Sequence, residues 1–251
     1  MSTVHKPTPG VALLAAVFLL GASACSSSSP PDPVSVDAGA KLFASPELSS
    51  SAANFYACAT CHDTTPADSA TGAIKPGALL AGVTQRQSFW GGMQNDLLAA
   101  VNDCLRLFMY ERSDLTAADT AARSLYAFLV SLEPGAPAPV AFSVPTYIED
   151  VPRGDPQRGL GYYQRSCARC HGAIHTGEGR IASSLPILPE GPIASHADYD
   201  LRLQRLVFIE KTRHGGFFGY AGVMPPFSQE VLGDAELGHI LEALGVTGLN
   251  P

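Results

Sequence analysis

The chain contains two copies of the pattern CxxCH, in which a histidine directly follows the second of two cysteines. The members are Cys58, Cys61 and His62 in one copy and Cys167, Cys170 and His171 in the other. Thiols three positions apart can add across the two vinyl groups of a haem to form thioethers, and the histidine that follows can bind the iron. The pattern therefore predicts two covalently bound haems c, with His62 and His171 as proximal ligands.

Other chemistry of paired cysteines fits this chain less well. A zinc ribbon has its two CxxC pairs about 15 to 20 residues apart, whereas much more of the chain separates Cys61 from Cys167. A thioredoxin-like redox pair needs a βαβ setting, which the sequence does not predict. Chance produces CxxCH at on the order of one start position in 10⁵, so two copies are not accidental.

The elements around the two frames are predicted to be helices that occur in the same order twice. A short helical pattern containing glycine and aromatic residues precedes each frame, as DAGAKLF in one half and RGLGYY in the other. An amphipathic helix closes each half, at 116–132 with Thr116 as N-cap and at 233–245 with Gly245 as its stop. The chain is therefore predicted to be all-α, with two tandem domains that each wrap around one haem.

Composition predicts the remaining boundaries. Lys6 precedes an apolar run that is too short to span a bilayer, which is typical of an export signal. The predicted segments are a signal peptide at 1–24, a flexible Ser/Pro spacer at 25–36, a first domain at 37–133, a proline-rich linker at 134–153 and a second domain at 154–251.

The sequence ASAC, which ends at Cys25, resembles the cleavage box of bacterial lipoproteins. This resemblance implies that Cys25 is lipidated and that the protein is anchored to a membrane in the bacterial periplasm or cell envelope. Ala22, Ser23 and Ala24 also fit ordinary signal cleavage, so simple secretion is the alternative.

The charge of the chain is acidic. The formal net charge is −7, and it becomes −8 (−7 − 1) once Lys6 is removed with residues 1–24. An acidic protein repels nucleic acid and is attracted to basic surfaces. The sequence therefore disfavours nucleic-acid binding and predicts protein partners with basic docking patches.

The second half resembles the class I cytochrome c family in three stretches, GLGYYQRSCARCHG, KTRHGGFFGYAGVMPPFS and LGDAELGHILEAL. The resemblance implies that Met224 is the distal iron ligand of the second haem. A thioether is soft and polarisable, and Pro225 and Pro226 stiffen the loop that carries it. Core packing is the alternative for Met224, and His214 is the rival ligand.

The distal ligand of the first haem is less sharply indicated. The stretch FWGGMQNDLLAAVNDCLRLFMYERS offers Met93, Cys104 and Met109. Cys104 and Met109 are five positions apart, about 140° around a helix, so both can face one iron only if the helix ends between them. Packing in the core is the alternative for both side chains.

The sequence NDCLRLFM followed by LYAFLVSL resembles thiosulfate dehydrogenases and related dihaem cytochromes of sulfur oxidation. In that family an Asn-x-Cys segment supplies a thiolate to the catalytic haem, so the resemblance implies Cys104 as ligand and catalytic residue. Met109 matches the methionine of an Arg-Ser-Met-Asn-Gly turn, whose flanks are replaced here by Leu107-Phe108 and Tyr110-Glu111.

These patterns favour a dihaem cytochrome that transfers single electrons between redox protein partners. The alternative is an enzyme similar to thiosulfate dehydrogenase, with a small sulfur substrate oxidised at the first haem. A dihaem peroxidase is less favoured, because those chains tend to be longer and no acid–base pair beside an open iron is evident. The sequence leaves open whether the protein is an enzyme.

Overall fold

The computed structural model describes residues 33–66, 72–132, 140–216 and 222–248. The α-helices in these ranges are α1 (Val36–Ala44), α2 (Cys58–Cys61), α3 (Leu97–Phe108), α4 (Thr120–Ser131), α5 (Pro156–Ser166), α6 (Ala168–His171), α7 (Glu190–Ser195), α8 (Leu201–His214) and α9 (Asp234–Ala243). Within the described ranges the one β pairing is an isolated bridge between Phe89 and Gln94. The prediction of an all-α chain is confirmed for this part.

Residues 33–132, here called the first half, are built on a crossing of α1 with α4. Ser35 caps α1 by accepting a hydrogen bond from a backbone N–H of its first turn. Gly39 allows the close approach, because a side chain at this position would collide with the carbonyl of Ser124. Phe43 and Phe128 then pack with ring centroids 5.3 Å apart.

Residues 154–248, the second half, repeat this arrangement with α5 and α9. Asp155 caps α5 through its carboxylate, and a side chain at Gly159 would collide with the carbonyl of His239. Because Gly159 and Gly39 occupy equivalent places, the glycine before each CxxCH frame is explained by helix packing. The halves together form one compact unit.

The predicted closing helices differ in accuracy. Helix α9 begins at Asp234, and Gly245 follows it with a φ of 71°, so its predicted start and stop are confirmed. Helix α4 begins at Thr120, so the predicted N-cap at Thr116 is wrong. The cause is Asp119, whose carboxylate accepts hydrogen bonds from the backbone N–H (2.6 Å) and hydroxyl (2.9 Å) of Thr116 in a preceding turn.

The predicted linker contacts both halves where it is described, from residue 140 onward. Phe142 packs edge-on against Trp90 of the first half, with centroids 5.7 Å apart. The backbone N–H of Ser143 donates to the Glu230 carboxylate (2.9 Å), and its carbonyl accepts from the N–H of Gln229 (2.9 Å) in the second half. The linker therefore packs as part of the fold between the two halves.

The hydrophobic cores follow the two halves, with one exception. The first core consists of Phe43, Leu48, Tyr56, Val83, Leu105, Phe108, Met109, Leu125, Leu129 and Val223. The second core contains Tyr163, Phe208, Ile209, Phe227, Leu237, Ile240 and Leu241 among others. Val223 belongs to the second half in sequence but to the core of the first half in space.

The predicted signal peptide, Cys25 and the first part of the predicted spacer lie outside the described residues, as do residues 134–139 of the predicted linker. Among the helices of the described ranges, none is long and apolar enough to cross a bilayer.

Candidate haem sites

Each half contains a cavity lined mainly by apolar side chains. The first has a volume of about 420 Å³ and the second about 490 Å³. Cys58, Cys61 and His62 line the first cavity, and Cys167, Cys170 and His171 line the second. None of these cysteines is in a disulfide, so each cavity combines two available thiols with one imidazole.

His62 is held at the wall of the first cavity by backbone groups. Its Nδ1 donates to the carbonyl of Ala78 (2.8 Å), which leaves Nε2 as the unprotonated nitrogen. Gly77 lies flat against the ring, since a side chain there would clash with it. Burial lowers the pKa of His62 and favours the neutral imidazole. The ring is therefore oriented and protonated as a metal ligand requires.

His171 repeats this geometry in the second cavity. Its Nδ1 donates to the carbonyl of Pro186 (3.0 Å), and burial lowers its pKa. The next residue, Gly172, is fixed by the fully buried Tyr163, whose hydroxyl donates to its carbonyl (2.8 Å). In both halves a carbonyl some 15 residues downstream of the frame thus fixes the imidazole.

The frame cysteines lie in apolar surroundings that favour neutral sulfur. Burial raises the pKa of Cys58 to about 11, of Cys61 to about 12 and of Cys167 to about 11. Burial also raises the pKa of Cys170. Reactive thiolates occur where positive groups lower the thiol pKa, so these sites fit neutral thioethers better than redox thiols.

In the second cavity the structure brings Met224 together with His171. Met224 is half-buried against the second core, and its carbonyl accepts from the N–H of Gly216 (2.8 Å). His214 is not among the described residues that line the cavity, and its Nε2 donates to the carbonyl of Pro145 (2.8 Å). Of the two candidate ligands, Met224 is the one that faces the cavity.

In the first cavity both Cys104 and Met109 line the wall together with His62. Helix α3 ends at Phe108, and Met109 has left helical geometry with a ψ of 8°, so the helix ends between the two candidates. Met93 is 55% exposed and is not among the described lining residues. Burial raises the pKa of the Cys104 thiol, so it is neutral without a metal partner.

Arg86 is a candidate binding residue that sequence reasoning missed. It lines the first cavity, and its Nη2 donates to the carbonyls of Leu79 (2.6 Å) and Ala81 (3.0 Å). Its Nε is buried and makes no hydrogen bond to the described residues. A haem carries two propionate carboxylates, and a buried guanidinium N–H without a partner fits one of them. A single arginine in a polar stretch gives no sequence signal for this role.

The two cavities share part of their walls, which sequence reasoning also missed. Four residues line both: Tyr56, Cys61, Pro76 and Pro225. Each cavity also includes side chains from the other half, such as Glu230 in the first and Lys75 in the second. Groups bound in the two cavities would therefore contact the same four residues.

Residues 154–242 match the family model described as "Cytochrome C oxidase, cbb3-type, subunit III". The matched region contains the second CxxCH frame, Met224 and most of α9, and the first half lies outside it. A comparison with curated proteins found no match. The match supports a c-type cytochrome, and a cytochrome c domain implies covalently bound haem c and electron transfer.

Proposed function

We propose that the protein is an exported dihaem c-type cytochrome that transfers single electrons between redox protein partners. The observation that carries the proposal is the same donor set at two cavities: two thiols and an imidazole whose Nδ1 donates to a backbone carbonyl. The family match supports this reading at His171. The equivalent geometry at His62 supports it in the first half.

The residues of each cavity have distinct roles in this proposal. Cys58, Cys61, Cys167 and Cys170 form the thioethers, and His62 and His171 bind iron on the proximal side. Met224 is the distal ligand in the second cavity, and Cys104 or Met109 is the distal ligand in the first. When bound, haem c supplies a one-electron couple. The apolar walls exclude water and so limit the reorganisation that accompanies each electron transfer.

The haem count of denatured protein tests the proposal. Protein from cells that mature c-type cytochromes should retain two haems per chain in a pyridine haemochrome assay. The double variants C58A/C61A and C167A/C170A should each retain one haem, because each removes one pair of thioethers. One haem or none in the wild-type protein would reject the dihaem proposal.

A second candidate function is thiosulfate oxidation in the first cavity. The observation that favours it is the Cys104 thiol, which lines the same cavity as His62. In the reaction two thiosulfate anions would form one S–S bond to give tetrathionate and release two electrons. Haems held by the two cysteine frames would supply two one-electron acceptors, from which a partner protein would take the electrons. Tetrathionate formation with a soluble one-electron acceptor tests this candidate, and its absence leaves the carrier function.

We propose further that the protein is anchored in the bacterial periplasm or cell envelope by lipid on Cys25. The support is the sequence ASAC and the Ser/Pro spacer that follows it. Labelled palmitate should enter the wild-type protein and not the Cys25→Ala variant. Equal labelling of both would reject the anchor. The acidic charge of the chain supports basic docking patches on its redox partners.

A further inference from the structure

The residue before Met224 is anchored in the other half of the molecule. Val223 is 8% exposed and belongs to the first core, together with Leu105, Phe108 and Met109, and it also lines the second cavity. Met224, one position later, packs against the second core and lines the second cavity. Two consecutive side chains thus enter the cores of different halves.

The backbone after Met224 is held by its own half. The carbonyl of Met224 accepts from Gly216 (2.8 Å), and the N–H of Phe227 donates to the carbonyl of Thr212 at the end of α8 (2.8 Å). Gly222, with a φ of 111°, makes the turn by which the chain enters. These contacts fix where the loop leaves the cavity, whereas Val223 fixes where the loop enters it. The direction of the Met224 side chain depends on both.

A segment of the first half also reaches the second cavity. Met109 is buried in the first core and lines the first cavity, while the next residue, Tyr110, lines the second cavity. Tyr110 adopts a φ of 55°, which is uncommon for a residue with a side chain. The segment of Met224 likewise reaches both cavities, because Met224 lines the second cavity and Pro226 lines the first.

We propose that Val223 is a positioning residue through which the first half holds Met224 in the second cavity. Distal ligation in the second half then depends on an intact first half, so that half cannot form its native iron site alone. This inference rests on the proposed function, because it takes Met224 as the distal ligand of a bound haem.

The test uses the full-length holoprotein and the methionine–iron charge-transfer band of the oxidised form. The share of the band lost in Met224→Gln defines the signal of the second site. Val223→Ala should remove more than half of that share and lower the potential of that haem, because the loop entrance loses its anchor. Val223→Ile should retain the band. Val207→Ala is the matched control, because Val207 lines the same cavity from α8 of its own half.

The possible outcomes distinguish the positioning role of Val223 from the proposal that Met224 is the distal ligand. A band that Met224→Gln does not change shows that Met224 is not the ligand and rejects both. A band that Met224→Gln removes and Val223→Ala leaves intact, in intensity and potential, rejects only the positioning role. Equal losses in Val223→Ala and Val207→Ala also reject it, because a general weakening of the cavity wall would explain them.

A measurement on the wild-type protein keeps the inference testable if Val223→Ala does not fold. Trp90 is the single tryptophan, lines the first cavity and packs against Phe108 of the first core. Its fluorescence should rise when the first half unfolds in denaturant, since quenching by the adjacent haem is lost. The Met224 band should disappear at the same denaturant concentration or earlier. A band that persists beyond the rise in fluorescence overturns the proposal.

Discussion

Cys104 and Met109 reach the first cavity from the end of helix α3, whereas Met224 reaches the second from a loop between α8 and α9. The proximal sides, in contrast, have the same frame, the same imidazole orientation and the same bond from Nδ1 to a carbonyl. The halves therefore agree where a haem would be attached and differ where its potential would be set.

The candidate distal residues of the two cavities also differ in how they are packed. Met109, at the end of α3, is only 4% exposed in the first core. The loop of Met224, in contrast, packs against the core of the other half through Val223. The two irons are thus expected to respond differently to substitutions: the first to changes on α3, and the second to changes in either half.

The largest effect is expected at Cys104, one of the two candidate distal ligands of the first haem. An anionic thiolate stabilises ferric iron, so Cys104→Ser should raise the potential of that haem. The change should be on the order of 0.1 V or more, within the roughly 0.8 V over which axial ligands act. The variant should also lose a low-potential, low-spin electron paramagnetic resonance signal and any thiosulfate oxidation. Redox titration measures the change in potential, and paramagnetic resonance spectra of the oxidised protein measure the loss of the signal.

Met109→Leu is the matched control for this substitution, because Met109 lines the same cavity five positions later. We expect it to leave the thiolate signal in place. Methionine charge-transfer bands from both haems of the wild-type protein would contradict the prediction. Cys104 would then be a core residue and Met109 the ligand, and the electron-carrier function would be favoured over thiosulfate oxidation.

The next effect is expected in the second cavity. Met224→His should lower the potential of the second haem markedly, because a thioether favours the reduced iron more than an imidazole does. A titration curve that stays unchanged would remove Met224 from the site. If both this and the Cys104 prediction hold, electrons flow from the first site to the second, since the thiolate-bound iron has the lower potential.

The sequence was informative where chemistry depends on residues close together in the chain. The period of α9 was sufficient to predict the closing helix. The five-residue frames predict the haem-attachment residues, and the structure places both frames at the walls of apolar cavities. Contacts between distant positions could not be predicted, because no local pattern specifies them. In the sequence Val223 cannot be distinguished from other loop residues, although it packs in the core of the other half. Likewise, the residues near Arg86 do not indicate that its Nε is buried beside a cavity.

A smaller effect is expected at Arg86, which lines the first cavity and whose buried Nε has no hydrogen-bond partner among the described residues. Arg86→Gln should lower the stability of the first half by about 1–3 kcal/mol, as two carbonyls lose a donor and an anion loses its partner. Denaturant unfolding followed by Trp90 fluorescence measures this. Arg123→Gln, on the exposed side of α4, should change stability by less than about 0.5 kcal/mol. Equal effects would show that Arg86 binds nothing in the cavity.

The smallest effect is expected at Glu230, which ties the linker to the second half beside the first cavity. The Ser143 hydroxyl and N–H lower the pKa of this carboxyl from its ordinary 4.5 to about 2. Because the folded pKa is the lower one, the stabilisation is fully present above pH 4.5 and is lost as the pH falls toward 2. Glu230 is exposed, so the contribution is at most about 1 kcal/mol.

Trp90 fluorescence should report the release of the linker on acidification, since Phe142 packs on Trp90 one residue before Ser143. In Glu230→Gln the acid-dependent change between pH 4.5 and 2 should be absent, and stability at pH 7 should fall slightly. Glu149→Gln, an exposed carboxylate on the same linker, should retain the wild-type profile. An identical acid response in all three proteins would mean that the Ser143 contact does not hold the linker over the first cavity.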